Sequence, residues 1–292
     1  MKVAIYSRVF DQSQLLALQL FFEALHGQQL VPIIYAPFYQ QIREAVRLPE
    51  NVITFNSSEE LNEEIECIVS LGGDGTLLDT ITLIRDKKIA VMGINFGRLG
   101  FLASIGKEEV EGAVKAIAQH SCVEDRRTLI HLDANIPLFG DTPYALNEFT
   151  LLKRDVNSMI KIHTYLNGEF LNTYWADGLI VATPTGSTGY SLSCNGPIVF
   201  PESQSFVITP VAPHNLNVRP LVVPDDQVIS FGIESRGDQV ICSLDARREI
   251  VHKDVQLAVR KESFTVKLLR LSDNNFLHTL HNKLTWGLDK RN

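Results

Sequence analysis

The chain has 292 residues, enough for one large domain or two of ordinary size, and its 45% hydrophobic and 21% charged residues place it among globular proteins. A formal net charge of −7 argues against capture by nucleic acid or an anionic membrane, because both want an accumulated basic surface. The opening residues hold one lysine and a short β-like run broken by Arg8 and Asp11, without the apolar stretch of a secretion signal, so export is not expected. Nowhere do about 18 to 20 uncharged apolar residues run together as a spanning helix needs, so the expectation is a soluble protein without a membrane partner.

In chain order, residues 2–6 read as a strand, 12–26 as a helix, 30–35 as a strand, 37–46 as a helix, 65–70 as a buried strand, 75–84 as a helix and 89–94 as a strand. That rhythm predicts an open, mostly parallel sheet covered by helices. Residues 107–120 look helical and bridge to a different rhythm. From about residue 126 onward, β-branched and aromatic runs recur at short intervals: 148–152, 160–166, 170–175, 179–182, 206–209, 227–233, 240–244, 255–259 and 264–269. An all-β region follows from this pattern. Residues 274–286 turn helical again, and their apolar positions need an existing α/β surface to pack on. The expected organisation is therefore an α/β domain, 1–105 with 271–292, and a β-rich domain, 106–270. The four cysteines, Cys67, Cys122, Cys194 and Cys242, are too dispersed for a zinc knuckle or a Cys-x-x-Cys pair and read as reduced residues of a cytoplasmic protein.

Four segments carry chemistry. In the first, Gly72, Gly73, Asp74, Gly75 and Thr76 follow a strand and open a helix, an arrangement that gathers bare N–H groups and the positive end of the helix dipole at one point. Phosphate suits such a turn. A carboxylate there repels phosphate unless it accepts a hydroxyl proton or holds Mg²⁺. The local pattern equally describes a tight turn with Asp74 as helix N-cap. It is neither a Walker A loop nor the Gly-x-Gly-x-x-Gly fingerprint of dinucleotide-binding folds. The second segment, Asn95 to Leu102 with Gly97, Arg98, Leu99, Gly100 and Phe101, follows the next strand, so both loops lie at the same end of the sheet, where open α/β sheets bind ligands. A glycine-relaxed turn with Phe101 in the core describes it as well. In the third, Asn147 beside Glu148 can present a donor and an acceptor to ribose hydroxyls, although a solvated polar pair before a strand reads the same way. The fourth is the run Asp177, Gly178, Leu179, Ile180, Val181, Ala182, Thr183, Pro184, Thr185, Gly186, Ser187, Thr188, Gly189, Tyr190, Ser191, Leu192, Ser193. Its small residues can offer N–H groups and hydroxyls to phosphate or ribose, and Tyr190 a face to a base, although a plain Ser/Thr-rich turn with Asp177 as a simple cap describes it too.

The first segment resembles the signature of a kinase superfamily that includes NAD kinases, lipid kinases and, more distantly, phosphofructokinases. The other three, together with Pro213, His214, Asn215, Leu216 and Arg219, Pro220, Leu221, Val222, resemble NAD kinases in particular. The resemblance covers the chain from about residue 65 onward. It implies a Rossmann-like or phosphofructokinase-like α/β domain, a β-sandwich-like domain, and a C-terminal helix returning to the first. It further implies phosphoryl transfer from ATP, with Mg²⁺ or another divalent cation, to the 2′-hydroxyl of the adenosine ribose of NAD, giving NADP. Carried over residue by residue, Asp74 is the general base; Gly72, Gly73, Gly75, Thr76 and Phe101 belong to the nucleotide site. Asn147, Glu148, Asp177, Thr188, Gly189, Tyr190 and Ser193 seat NAD. His214 reads either as a ligand-side residue or as a packed imidazole. A dimer or tetramer of identical chains is implied as well. Two departures stand out. Asp79 occupies a place where family members often have a base, and Arg247, two residues after Asp245, replaces a common Gln; Arg247 reads as a phosphate donor or as a surface charge.

Overall fold

The computed structural model describes residues 1–49, 52–97, 99–155 and 158–284. The chain divides into two compact units, 1–126 with 266–292, and 127–265.

The first unit is built on a parallel sheet. Its strands lie in the order Ile53–Phe55, Val31–Tyr35, Lys2–Tyr6, Ile65–Leu71, Ala90–Asn95, with the end of the long strand Leu257–Arg270 joining through Leu268 and Leu269 beside Val91 and Met92. The central strands are buried on both faces, which is why their sequences are continuous apolar runs and not alternating ones. Helix Leu15–Gly27 turns Leu18, Phe21, Phe22 and Leu25 inward, and Val110–Ala118 turns Val110, Val114 and Ile117 inward, each at helical spacing. These two helices pack on each other, so the first unit runs on to Arg126 where the sequence rhythm suggested an end at 105. Helix Asp74–Ile84 lies close over the sheet at Gly93, where a Cβ would sit 2.7 Å from Leu77 and 2.9 Å from the Ala103 backbone. Helix Phe276–Leu284 belongs to this unit, with Leu280 2% exposed and Asn274 donating to Glu109 at 3.2 Å. Trp286, counted in the same helix from sequence, lies outside the described residues.

The second unit is a sandwich of antiparallel layers. One sheet has the order Leu221–Pro224, Ser205–Val211, Gly178–Ala182, Glu148–Lys153, Gln239–Leu244, Arg247–His252. The other layer runs Glu169–Ala176, Ile160–Leu166, Ile229–Glu234, Leu257–Arg270, with Val123–Ala134 and Tyr144–Ala145 attached. Phe149 of the first layer stacks on Phe231 of the second, with centroids 5.5 Å apart, at the middle of a continuous apolar core. The runs 255–259 and 264–269 are one strand of 14 residues and not two, and four strands of this unit have no counterpart in the sequence reading: Val123–Ala134, Tyr144–Ala145, Leu221–Pro224 and Arg247–His252. In the longer three, charged or half-exposed residues hide the alternation. No helix among the described residues is long and apolar enough to cross a membrane.

Candidate functional site

Strand Ile65–Leu71 ends at Gly72, whose φ of 150° and lack of a side chain are both required, since a Cβ would lie 2.4 Å from the Thr76 hydroxyl. Gly73 is the N-cap and the helix proper opens at Asp74. The Asp74 side chain therefore does not cap its own helix. It reaches across to the second loop, where its Oδ2 accepts from the Phe101 amide at 2.9 Å and its Oδ1 from the Leu102 and Ala103 amides, each at 3.0 Å. Gly100 makes room for this, because a Cβ there would fall 1.8 Å from Oδ1. Asn95 closes the start of the same loop by accepting from the Gly97 amide at 2.9 Å. Arg98 lies outside the described residues. Thus Asp74 and Phe101, separate in sequence, are joined through the Phe101 backbone. Three of the roughly four acceptor positions of a carboxylate are engaged, which fixes the group and leaves room for one hydroxyl.

In the second unit, a turn organises Asn147 and Glu148. Asp245, at φ 53°, accepts from the Leu146, Asn147 and Glu148 amides at 3.0, 2.8 and 3.1 Å. Sequence reading did not single Asp245 out; its position at a tight turn before Arg247 was the available signal. The 177–193 run comes down on this turn. Thr183 donates to the Asn147 and Leu146 carbonyls, and Gly186 packs so closely that a Cβ would lie 2.0 Å from the Asn147 oxygen. A Cβ on Gly189 would be 3.1 Å from Glu148 Oε2 and 3.9 Å from Asn147 Nδ2. Burial, and then the negative charge of Asp245, push the Glu148 carboxyl up to about 8, against a smaller pull from the Tyr190 amide. Its Oε2 finds no hydrogen-bond partner among the described residues. A buried polar oxygen of this kind costs free energy unless a ligand satisfies it.

Thr188 sits one turn back, its hydroxyl donating to the Thr185 carbonyl at 3.2 Å; Tyr190 and Ser193 are exposed along the short helix Tyr190–Ser193. Asp177, at the other end of strand Gly178–Ala182 from this cluster, is ion-paired with Lys153 at 2.6 Å. His214 is tied elsewhere, its amide donating to the Trp175 carbonyl and its ring tilted against the Trp175 indole at 4.8 Å. Arg247 turns its guanidinium onto the Thr142 carbonyl and hydroxyl at 2.6 and 2.7 Å and onto the Tyr144 carbonyl, over the ring of Phe139. Its donors secure the segment leading to Asn147. In this structure Arg247 acts as a brace through Nη1 and Nη2.

Comparison with known proteins bears on both units. Residues 41–122 match the ATP-NAD kinase N-terminal domain and residues 146–271 the ATP-NAD kinase C-terminal domain. An NAD kinase of Cytophaga hutchinsonii is 47% identical over 99% of both chains, and one of Flavobacterium psychrophilum is 41% identical over the whole of both. Among solved structures, yeast NADH kinase complexed with NADH superposes with a TM-score of 0.88 at 22% identity, covering 99% of this chain and 89% of that one. An NAD kinase from Archaeoglobus fulgidus in complex with ATP gives 0.76 at 25% identity, covering 98% and 99%. With matching domains in both units and relatives of that similarity along its full length, the chain belongs to the NAD kinase family of enzymes.

Proposed function

We propose that the chain transfers the γ-phosphoryl group of ATP, presented as its Mg²⁺ complex, to the 2′-hydroxyl of the adenosine ribose of NAD, with Asp74 as general base. The observation that carries this reading is the three-amide clamp on Asp74. It holds a carboxylate at the head of a glycine turn whose N–H groups suit phosphate, and leaves it an acceptor position. In the reaction the ribose oxygen attacks the γ-phosphorus, the bond to the β–γ bridging oxygen breaks, ADP leaves, and the hydroxyl proton passes to Asp74. Positioning and charge neutralisation do most of the work in such transfers.

Residues 72–76 receive the triphosphate. Mg²⁺ would arrive on the triphosphate, as it commonly does, and would supply neutralisation of phosphate charge there. Asn147, Glu148, Thr188, Gly189, Tyr190, Ser193 and Asp177 seat NAD. With its carboxyl raised to about 8, Glu148 is protonated at neutral pH, so it donates to a ribose hydroxyl and puts no charge near the pyrophosphate. The cytoplasmic location and a homo-oligomeric state also belong to the proposal and rest on the family alone.

The test is NADP formation from NAD, ATP and Mg²⁺, read with an NADP-specific dehydrogenase, for wild type and Asp74→Asn. Formation by wild type and its loss in the variant supports the reading. Undiminished turnover in the variant removes Asp74 from the role, and no NADP from ATP removes the donor.

A further inference from the structure

An acid at position 79, one and a half turns into the helix that opens at Asp74, would repel a triphosphate if it stood alone. It does not. Arg8, just past strand Lys2–Tyr6, meets Asp79 as a fork, Nε donating to Oδ2 and Nη2 to Oδ1, and the Tyr6 hydroxyl donates to Oδ2 at 3.4 Å. The residues on either side of Arg8 are tied down as well. The Ser7 hydroxyl donates to the carbonyl of Leu71, the residue before Gly72, at 2.7 Å. Gln41 donates to the Arg8 carbonyl at 3.2 Å and accepts from the Phe10 amide at 2.8 Å. The fork uses two of the three guanidinium nitrogens. The third, Nη1, lies 3.8 Å from where a Cβ on Gly75 would sit, over the first turn of helix Asp74–Ile84. Arg8 and Asp79 are 47% and 30% exposed in their side chains; ion pairs this wet add little to stability, so stability is a poor reason for so much anchoring.

We propose that Arg8 is a phosphate-binding residue of the donor site and Asp79 its positioning residue, Nη1 donating to an oxygen of the triphosphate laid on residues 72–76. The proposal rests on the reading of that turn as the triphosphate site. Arg8 then supplies, by a tertiary contact, the positive charge that position 79 lacks. A guanidinium is well suited to this, since it stays charged, is weakly hydrated, and can pair with a carboxylate through one edge while offering another to phosphate.

The experiment is steady-state kinetics on the purified full chain, giving KM for ATP and NAD and the inhibition constant of inorganic tripolyphosphate, for wild type, Arg8→Gln, Asp79→Asn and the double variant. Arg8→Gln should raise the ATP KM and the tripolyphosphate constant together by about tenfold, the scale of one charge-assisted hydrogen bond, and leave the NAD KM in place. Asp79→Asn in the wild-type background should raise the ATP KM by less, through loss of aim. In the Arg8→Gln background the same change should lower it, because an unpaired acid beside phosphate is removed. A structural pair would not invert that sign. Arg8→Lys, which keeps the charge and loses the fork, should fall between wild type and Arg8→Gln. An unchanged ATP KM in Arg8→Gln, or one sign for Asp79→Asn in both backgrounds, overturns the proposal. If wild type makes no NADP from ATP, the donor reading fails separately; calorimetric binding of tripolyphosphate to wild type and Arg8→Gln then decides whether Arg8 holds phosphate.

Discussion

Two carboxylates in this protein are placed by the same device and left with different chemistry. Asp74 and Asp245 each accept three backbone amides, but Asp74 reaches from the glycine turn to the loop at residues 101–103, whereas Asp245 serves as the peg on which residues 146–148 hang. Asp74→Asn keeps the size of the side chain, removes the proton acceptor that the proposed reaction needs and puts an amide nitrogen against an amide donor. It should lower kcat by at least about 10²-fold, in the range expected of a general base, with NAD affinity measured by calorimetry little changed. Glu148 makes a pH prediction. Because its folded carboxyl lies near 8 and its unfolded one near 4.5, the folded state binds more protons between those values. Stability from this group is thus present below about pH 4.5 and is lost as pH rises through 8. Urea midpoints should fall across that window in wild type, and the fall should be smaller in Glu148→Gln. The NAD KM of wild type should rise on the same limb, as an ionised Glu148 has no proton left to donate.

At the scale of elements, the candidate site depends on glycines that let backbones approach. Gly100→Ala would drive a Cβ into Asp74 Oδ1, displacing either the carboxylate or the loop. A displacement of about 1 Å can cost on the order of 10²-fold in rate, so kcat should fall toward that of Asp74→Asn, while far-ultraviolet circular dichroism stays that of the folded protein. Arg247 works on the same scale in the other unit. Its bonds to the Thr142 and Tyr144 carbonyls brace the segment that delivers Asn147 and Glu148. Arg247→Ala should destabilise by about 1.5–3 kcal/mol in denaturant titration, the range for hydrogen bonds from charged donors, and weaken NAD binding without altering the ATP KM.

At the scale of the whole molecule, each unit carries its own core, one around Phe21, Ile34 and Met92 and one around Phe149, Phe206 and Phe231. Phe149 lies wholly buried between the sandwich layers and one residue from Glu148. Phe149→Ala should cost about 3–5 kcal/mol by loss of burial and creation of a cavity, read as a lowered denaturation midpoint. NAD binding should weaken in parallel, because the strand that carries Glu148 is seated by that ring.

Much of this was legible in the sequence. Buried parallel strands write themselves as unbroken apolar runs, so the α/β rhythm through residue 94 and the turn at Gly72 to Thr76 could be read locally, and the 177–193 run was long enough to single out one family. Local pattern did not decide what Asp74 would do with its carboxylate. Capping its own helix and accepting the amides of residues 101–103 are both compatible with one glycine turn, and the second depends on a loop 27 to 29 residues away. The same holds for Arg247, a brace whose partners lie about a hundred residues earlier, and for the pairing of Arg8 with Asp79 across 71 residues. Periodicity records which faces are buried, and motifs record which local conformations are needed. Which donor meets which acceptor across the chain is set only when the sheets close and bring distant turns within hydrogen-bond range.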